Sequence, residues 1–154
     1  MLICQLEIRV EWGHCDPAQI VYNPNFFDWM ERGLSALFEA AGFSFTDLIG
    51  SNKDLRGTPL VRSQAEFLSP ARVGDVIVLT SKIVRWGRAS FDIAHEFHLG
   101  ETKLVSATQT RVWAGADASG RLKALPMPKN VRSALETDKT VRYSIAREET
   151  APSA

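Results

Sequence analysis

The sequence predicts an α+β domain in which one long helix packs on an antiparallel sheet. Three observations carry that prediction. Residues 25–41 form a single amphipathic stretch with helical spacing. One alternating strand precedes it, and four strand signals joined by short turns follow from residue 58 onward. The chain has 154 residues, enough to bury one core without staples. No internal repeat or composition break is visible, so residues 1–138 read as one domain.

The first strand is read over residues 6–12, with Leu6, Ile8, Val10 and Trp12 on one side and Glu7, Arg9 and Glu11 on the other. Residues 13–22 connect it to the helix, and Pro17 blocks early helix growth. On the helix, Phe26, Met30, Gly33, Leu34, Leu37, Phe38 and Ala41 make one broad stripe, while Asp28, Glu31, Arg32, Ser35 and Glu39 lie opposite. Gly33 costs about 1 kcal/mol against alanine there, which a closely approaching sheet would explain. Gly42 stands where a left-handed residue ends the helix.

Residues 45–49 suggest a short helical turn before Gly50-Ser51-Asn52. Strands are predicted over 60–68, 76–86, 90–99 and 103–114, then a loop over 115–120 and a terminal helix over 128–136. Residues 139–154 are charged and are expected to fray. One helix covers one sheet face only, so the other face must find cover elsewhere, which points to oligomerisation.

Charge and composition exclude several classes. Eighteen basic side chains balance eighteen acidic ones, so no global field draws nucleic acid. No apolar run reaches the roughly 18 residues that span a bilayer, and the start of the chain has no signal-type apolar region. Cytoplasmic placement and reduced Cys4 and Cys15 are the expectation. No Gly-x-Ser-x-Gly elbow or nucleotide-binding glycine motif occurs. His14 and Cys15 are adjacent in a loop, an arrangement that rarely lets a nucleophile face its base. His95 and His98 are three apart on a strand and point to opposite faces, so they do not build a metal site. His95 shares a face with Phe91, Ile93, Phe97 and Leu99 and reads as a core or interface histidine.

The chemistry concentrates between Trp12 and Trp29, where the strand-to-helix connection carries Asp16. Asn23-Pro24 reads as a helix start, with Asn23 as N-cap and proline at the first helical position. Backbone donors and the positive helix end then stand near a carboxylate. That pairing offers a reacting carbonyl both an attacking or proton-accepting group and an oxyanion site. As an ordinary Asp-Pro loop residue, Asp16 would instead be a turn former.

Asp16-Pro17-Ala18-x-Ile20-Val21-x-x-Pro24-Asn25, preceded by Gly13-x-Cys15, resembles the 4-hydroxybenzoyl-CoA thioesterase family of hotdog-fold enzymes. The resemblance spans about residues 5–115 and is densest from Trp12 to Trp29. It implies a five-stranded antiparallel sheet wrapped around the long helix, paired edge to edge into a homodimer and stacked further into a homotetramer. It implies hydrolysis of an aromatic, 4-hydroxybenzoyl-like or benzoyl-like, acyl-CoA, with coenzyme A thioester as substrate and no cofactor or metal.

By the same resemblance Asp16 acts as nucleophile or general base, and the backbone N–H of Asn23 polarises the thioester oxygen. Here the family's pattern is altered, with Asn23 before the proline and Tyr22 before that. Tyr22 and Thr58, the latter in Gly57-Thr58-Pro59-Leu60-Val61, would line the site. Arg85 and Arg88 bracket Trp86-Gly87 and would meet coenzyme A phosphates, although Gly87 and Ala89 stand where the best-known member has further basic residues. Phe26, Phe27, Trp29 and Met30 are candidates for an acyl slot. The alternatives are a thioesterase for short or medium aliphatic acyl-CoA and a non-catalytic acyl-CoA-binding module.

Overall fold

In the computed structural model, which describes residues 1–145, the chain begins with β1 (Leu2–Arg9). A 3-10 turn over Trp12–His14 leads to α1 (Pro24–Ala40) and a short α2 (Phe45–Ser51). Then come β2 (Leu55–Gly57), β3 (Leu60–Phe67), β4 (Val76–Trp86), β5 (Ser90–Leu99), β6 (Thr102–Val112), β7 (Ala114–Ala116) and β8 (Leu122–Ala124). The described chain ends in α3 (Lys129–Glu136) and β9 (Lys139–Tyr143).

The main sheet runs β3-β6-β5-β4-β1-β9, and β2, β7 and β8 make a small second sheet. Five of the six main strands pair antiparallel, as the sequence pattern requires. The sixth corrects an expectation. Residues 139–143, read above as the start of a fraying tail, pair parallel with β1 from Leu2↔Lys139 to Leu6↔Tyr143. Val141 packs on the core beside them, and Glu7 accepts a 2.8 Å hydrogen bond from the Arg142 side chain. Residues 146–154 of that expected tail lie outside the described residues.

α1 lies across the sheet as the spacing predicts. Its first half packs Phe26, Trp29 and Met30 against Ile77, Leu79, Phe97 and Val105. Its second half packs Leu34, Leu37 and Phe38 against Ile83, Phe91, Ile93 and Trp113. Three details differ from the sequence reading. β1 ends at Arg9, so Trp12 falls beyond the strand and stands 81% exposed rather than on the buried side. Asn23 adopts helical backbone angles and its side chain caps nothing. The outward sheet face is mostly polar, with Thr80, Lys82, Glu96 and Thr108 on it, although Val76 and Val84 of β4 are exposed as well. The β3 edge also exposes apolar residues, with Val61 65% and Phe67 48% accessible.

No helix among the described residues is long and apolar enough to cross a membrane. Cys4 is buried and Cys15 half-buried, and both are free thiols.

Candidate active site

Asp16 is fixed by its own loop. Its Oδ1 accepts the Ala18 N–H at 2.9 Å, its N–H donates to the Ile20 carbonyl, and its carbonyl accepts the Gln19 N–H. The turn former and the candidate carboxylate are therefore one residue. The tight turn holds Gln19 at φ +64, in the left-handed region that side chains other than glycine enter at a cost. An isolated bridge between Cys15 and Val21 closes the loop, and the Val21 N–H anchors it to the Ala71 carbonyl at 2.9 Å.

The α1 N-terminus supplies one free donor. The N–H groups of Asn25 and Phe26 turn back to the carbonyls of Tyr22 and Asn23, at 2.9 and 3.1 Å, and Pro24 has none to give. The Tyr22 N–H is taken by the His14 carbonyl. The Asn23 amide is left without a partner among the described residues, at the positive end of a 17-residue helix.

Asp16, Tyr22 and Asn23 line one cavity of about 500 Å³, walled by Phe26, Phe67 and Leu68. Phe26 is held edge-on to Phe97 at 5.0 Å and to Phe67 at 5.8 Å, so this wall is aromatic. Of the four aromatic and sulfur side chains proposed for an acyl slot, Phe26 reaches the cavity. Trp29 and Met30 are sealed in the core, and Phe27 meets Phe67 at the β3 edge. Phe67 and Leu68 carried no mark in the sequence, because only the register of β3 on β6, Phe67↔Val105, brings them to the helix start.

The other predicted residues are not brought to Asp16 within one chain. Arg9↔Val76 places the start of β4 beside the end of β1 that feeds Asp16. The Trp86 end, with Arg85 and Arg88, is therefore a full 11-residue strand away, roughly 35 Å. Arg85 is also engaged, since Asp92 accepts from its Nε at 2.5 Å and from its terminal nitrogen at 3.2 Å. That pairing raises the arginine and holds the Asp92 carboxyl below its usual range. Arg88 is exposed and makes no ion pair among the described residues.

Thr58 lies before β3, at the end of that strand opposite Phe67. It is buried, and its carbonyl accepts from Arg111 at 3.2 Å. The same Arg111 guanidinium holds Gln109 Oε1 and the Glu31 carboxylate of α1. Sequence reading missed this buried arginine, whose setting in an apolar-alternating strand was the available signal.

Among the described residues no group of three or more His, Cys, Asp or Glu is arranged to hold a metal. The arrangement instead offers a carboxylate, an unspent amide and apolar walls around one cavity.

Comparison with known proteins decides what such a site belongs to. The family description "Thioesterase-like superfamily" matches residues 10–135. The chain belongs to the thioesterase-like superfamily. It is 32% identical over 128 residues to the 4-hydroxybenzoyl-CoA thioesterase of Pseudomonas sp. (strain CBS-3), a match covering 80% of this chain and 90% of that enzyme. The structure of that enzyme superposes with a TM-score of 0.79 at 28% identity, covering 86% of this chain and 98% of the other. A gentisyl-coenzyme A thioesterase follows at 0.74 and 29% identity, covering 83% and 98%. A 1,4-dihydroxy-2-naphthoyl-CoA thioesterase from Synechocystis shares the fold at 0.76 and 21% identity, covering 86% and 95%. The protein is thus a thioester hydrolase of the hotdog fold, as the motif around Asp16 implied.

Proposed function

We propose that this thioester hydrolase acts on an aromatic acyl-CoA, 4-hydroxybenzoyl-like or benzoyl-like, releasing the free acid and coenzyme A. One observation carries the reading: Asp16 and the unpartnered Asn23 amide share a cavity whose wall is Phe26 and Phe67. Ring-bearing acyl groups, named in all three relatives above, suit an aromatic wall.

The thioester carbonyl carbon faces the Asp16 carboxylate in this reading, and its oxygen faces the Asn23 N–H. Asp16 serves in one of two ways. As a base it takes a proton from water, whose oxygen attacks the carbonyl carbon. As a nucleophile it attacks that carbon itself, and water then hydrolyses the mixed anhydride. Both routes pass a tetrahedral oxyanion on the Asn23 N–H, break the C–S bond and deliver a proton to the departing thiolate. One such donor is worth about 3–4 kcal/mol of transition-state stabilisation.

The remaining predicted contacts fit a homodimer. Two copies pairing antiparallel along β3 bring the Thr58 end of one beside the Phe67 end of the other. Arg85 and Arg88, at that same sheet end, then approach the site from the partner side, where coenzyme A phosphates need cations. The exposed apolar residues of the β3 edge support this pairing. A tetramer and a cytoplasmic setting complete the proposal.

The test is a thiol-release assay over benzoyl-, hydroxybenzoyl- and aliphatic acyl-CoA esters, run beside Asp16→Ala. The expected result is preference for an aromatic ester and a loss of roughly 10³-fold or more in kcat for the variant, with its fold intact. Wild-type turnover by Asp16→Ala would end the site assignment, and preference for an aliphatic ester would end the substrate assignment.

A further inference from the structure

Besides the bonds within its own loop, Asp16 is tied to the helix start through His14, two residues before it. The His14 carbonyl accepts two donors at 2.8 Å each, the backbone N–H of Tyr22 and the Asn25 side-chain amide. Its Nδ1 accepts the Glu11 N–H at 2.9 Å, which leaves the ring proton on Nε2. Its ring meets the buried Trp29 edge-on at 5.1 Å. Three of these four ties are backbone donors or ring packing. The fourth is the side-chain hydrogen bond that runs from the first turn of α1 to the loop, and it is half-buried.

Nothing else about Asn25 needs an asparagine. Its backbone N–H is spent on the Tyr22 carbonyl, and helix starts accept many residues at this position. Its side chain leaves α1 to satisfy a loop carbonyl eleven residues upstream. Asp16 follows that carbonyl by two residues, and the free Asn23 amide precedes Asn25 by two.

We propose that Asn25 is a positioning residue for thioester hydrolysis: its amide, clamped on the His14 carbonyl, fixes the gap between Asp16 and the Asn23 N–H. The inference rests on the site reading above. Misplacing one of two groups that must meet the same carbonyl by about 1 Å costs on the order of 100-fold in rate. Substrate binding, which uses the cavity walls and the coenzyme, is largely untouched by the clamp.

The experiment uses Asn25→Ala and Asn25→Gln, each in the wild-type and Asp16→Asn backgrounds, assayed on the best ester of the panel. Hydrogen exchange of backbone amides is followed in parallel. Asn25→Ala is expected to lower kcat about 10- to 100-fold with KM changed less than about threefold. Asn25→Gln, which keeps an amide donor, recovers part of that loss. In the Asp16→Asn background the residual rate is expected to be indifferent to Asn25→Ala, because the clamp acts through Asp16. Exchange at residues 16–22 accelerates while the β4 and β5 amides keep their protection.

Unchanged loop exchange in Asn25→Ala, an unchanged kcat, or an equal fold-loss in both backgrounds overturns the proposal. Should wild-type protein cleave no thioester of the panel, the hydrolytic reading of the site fails. The exchange comparison still decides whether Asn25 orders the Asp16 loop.

Discussion

The Ser81 hydroxyl lies 2.8 Å from Nδ1 of His95, with both side chains sealed beneath α1. Gly33 rests directly over the pair. A Cβ at that position would stand 2.5 Å from the Ser81 oxygen, 2.9 Å from a Leu79 methyl and 3.4 Å from His95 Nδ1. The conformational cost of a mid-helix glycine is offset by an approach that no other residue allows. Gly33→Ala is expected to destabilise by about 1–3 kcal/mol, because overpacking outweighs the propensity gain of about 1 kcal/mol. Urea unfolding checks this through a lower midpoint at unchanged slope; a higher midpoint would mean that the helix has room to move off the sheet.

His95 itself predicts an acid limb of stability. Burial and the nearby positive Arg111 hold its pKa down to about 3, far below the ordinary 6.5. Above pH 6.5 the imidazole is neutral in both states and contributes nothing to the pH dependence. Below it the unfolded chain takes up a proton that the folded chain refuses until about pH 3. Stability therefore falls with falling pH across that window, by on the order of 1.4 kcal/mol per unit from this group. His95→Gln is expected to flatten the difference between unfolding free energies at pH 7 and pH 5. Parallel curves for the two proteins would show that His95 is not the group that titrates.

How much of this was legible beforehand depends on whether the signal was local. The α1 stripe, the four following strands and the turn at Asp16 are periodic or short-range features, and the residue pattern locates them within a few positions. Asn23 has the residue type of a cap, but the backbone stays helical there and its side chain is not used. The Lys139–Tyr143 strand was hidden because its charged residues face solvent at a sheet edge, while its anchoring contacts are with β1, more than 130 residues away. Phe67 became a cavity wall only through its register on β6. Arg111 is the clearest case: a buried guanidinium makes sense only beside Gln109 of its own strand and Thr58 and Glu31, which two other stretches of sequence deliver.

The β3 edge gives a prediction about assembly. This edge is uncovered and exposes Leu60, Val61 and Phe67 beside the charged Arg62 and Glu66. Val61→Lys changes a side chain that is 65% exposed in the single chain, so it should leave monomer folding within about 0.5 kcal/mol of wild type. Light scattering after size exclusion is expected to show a dimeric or larger wild type and a monomeric variant. If the site is shared across that edge, the monomer also loses turnover. An active monomer would show that Thr58 and the hairpin arginines serve no partner site.

The two hairpin arginines should contribute unequally to coenzyme A binding. Arg85 is held by Asp92 through two hydrogen bonds, and Asp92 is fixed in turn by the Thr110 hydroxyl at 2.7 Å. Drawing that guanidinium to a phosphate means giving up a neutralising carboxylate, so its charge is largely spent. Arg88 is exposed and outside any ion pair among the described residues, so in the proposed site it would be the freer of the two to meet a phosphate. Arg88→Ala is therefore expected to raise KM for acyl-CoA roughly 5- to 20-fold with kcat little changed, the size of one charge-assisted contact, while Arg85→Ala raises it about twofold or less. Raising the salt concentration should weaken wild-type binding and narrow the gap to Arg88→Ala, since screening removes what the substitution removes. A truncated thioester lacking the nucleotide portion of coenzyme A supplies the control: it should not distinguish the three proteins, and an Arg88→Ala defect that persisted on it would assign the residue to hairpin structure instead of phosphate recognition.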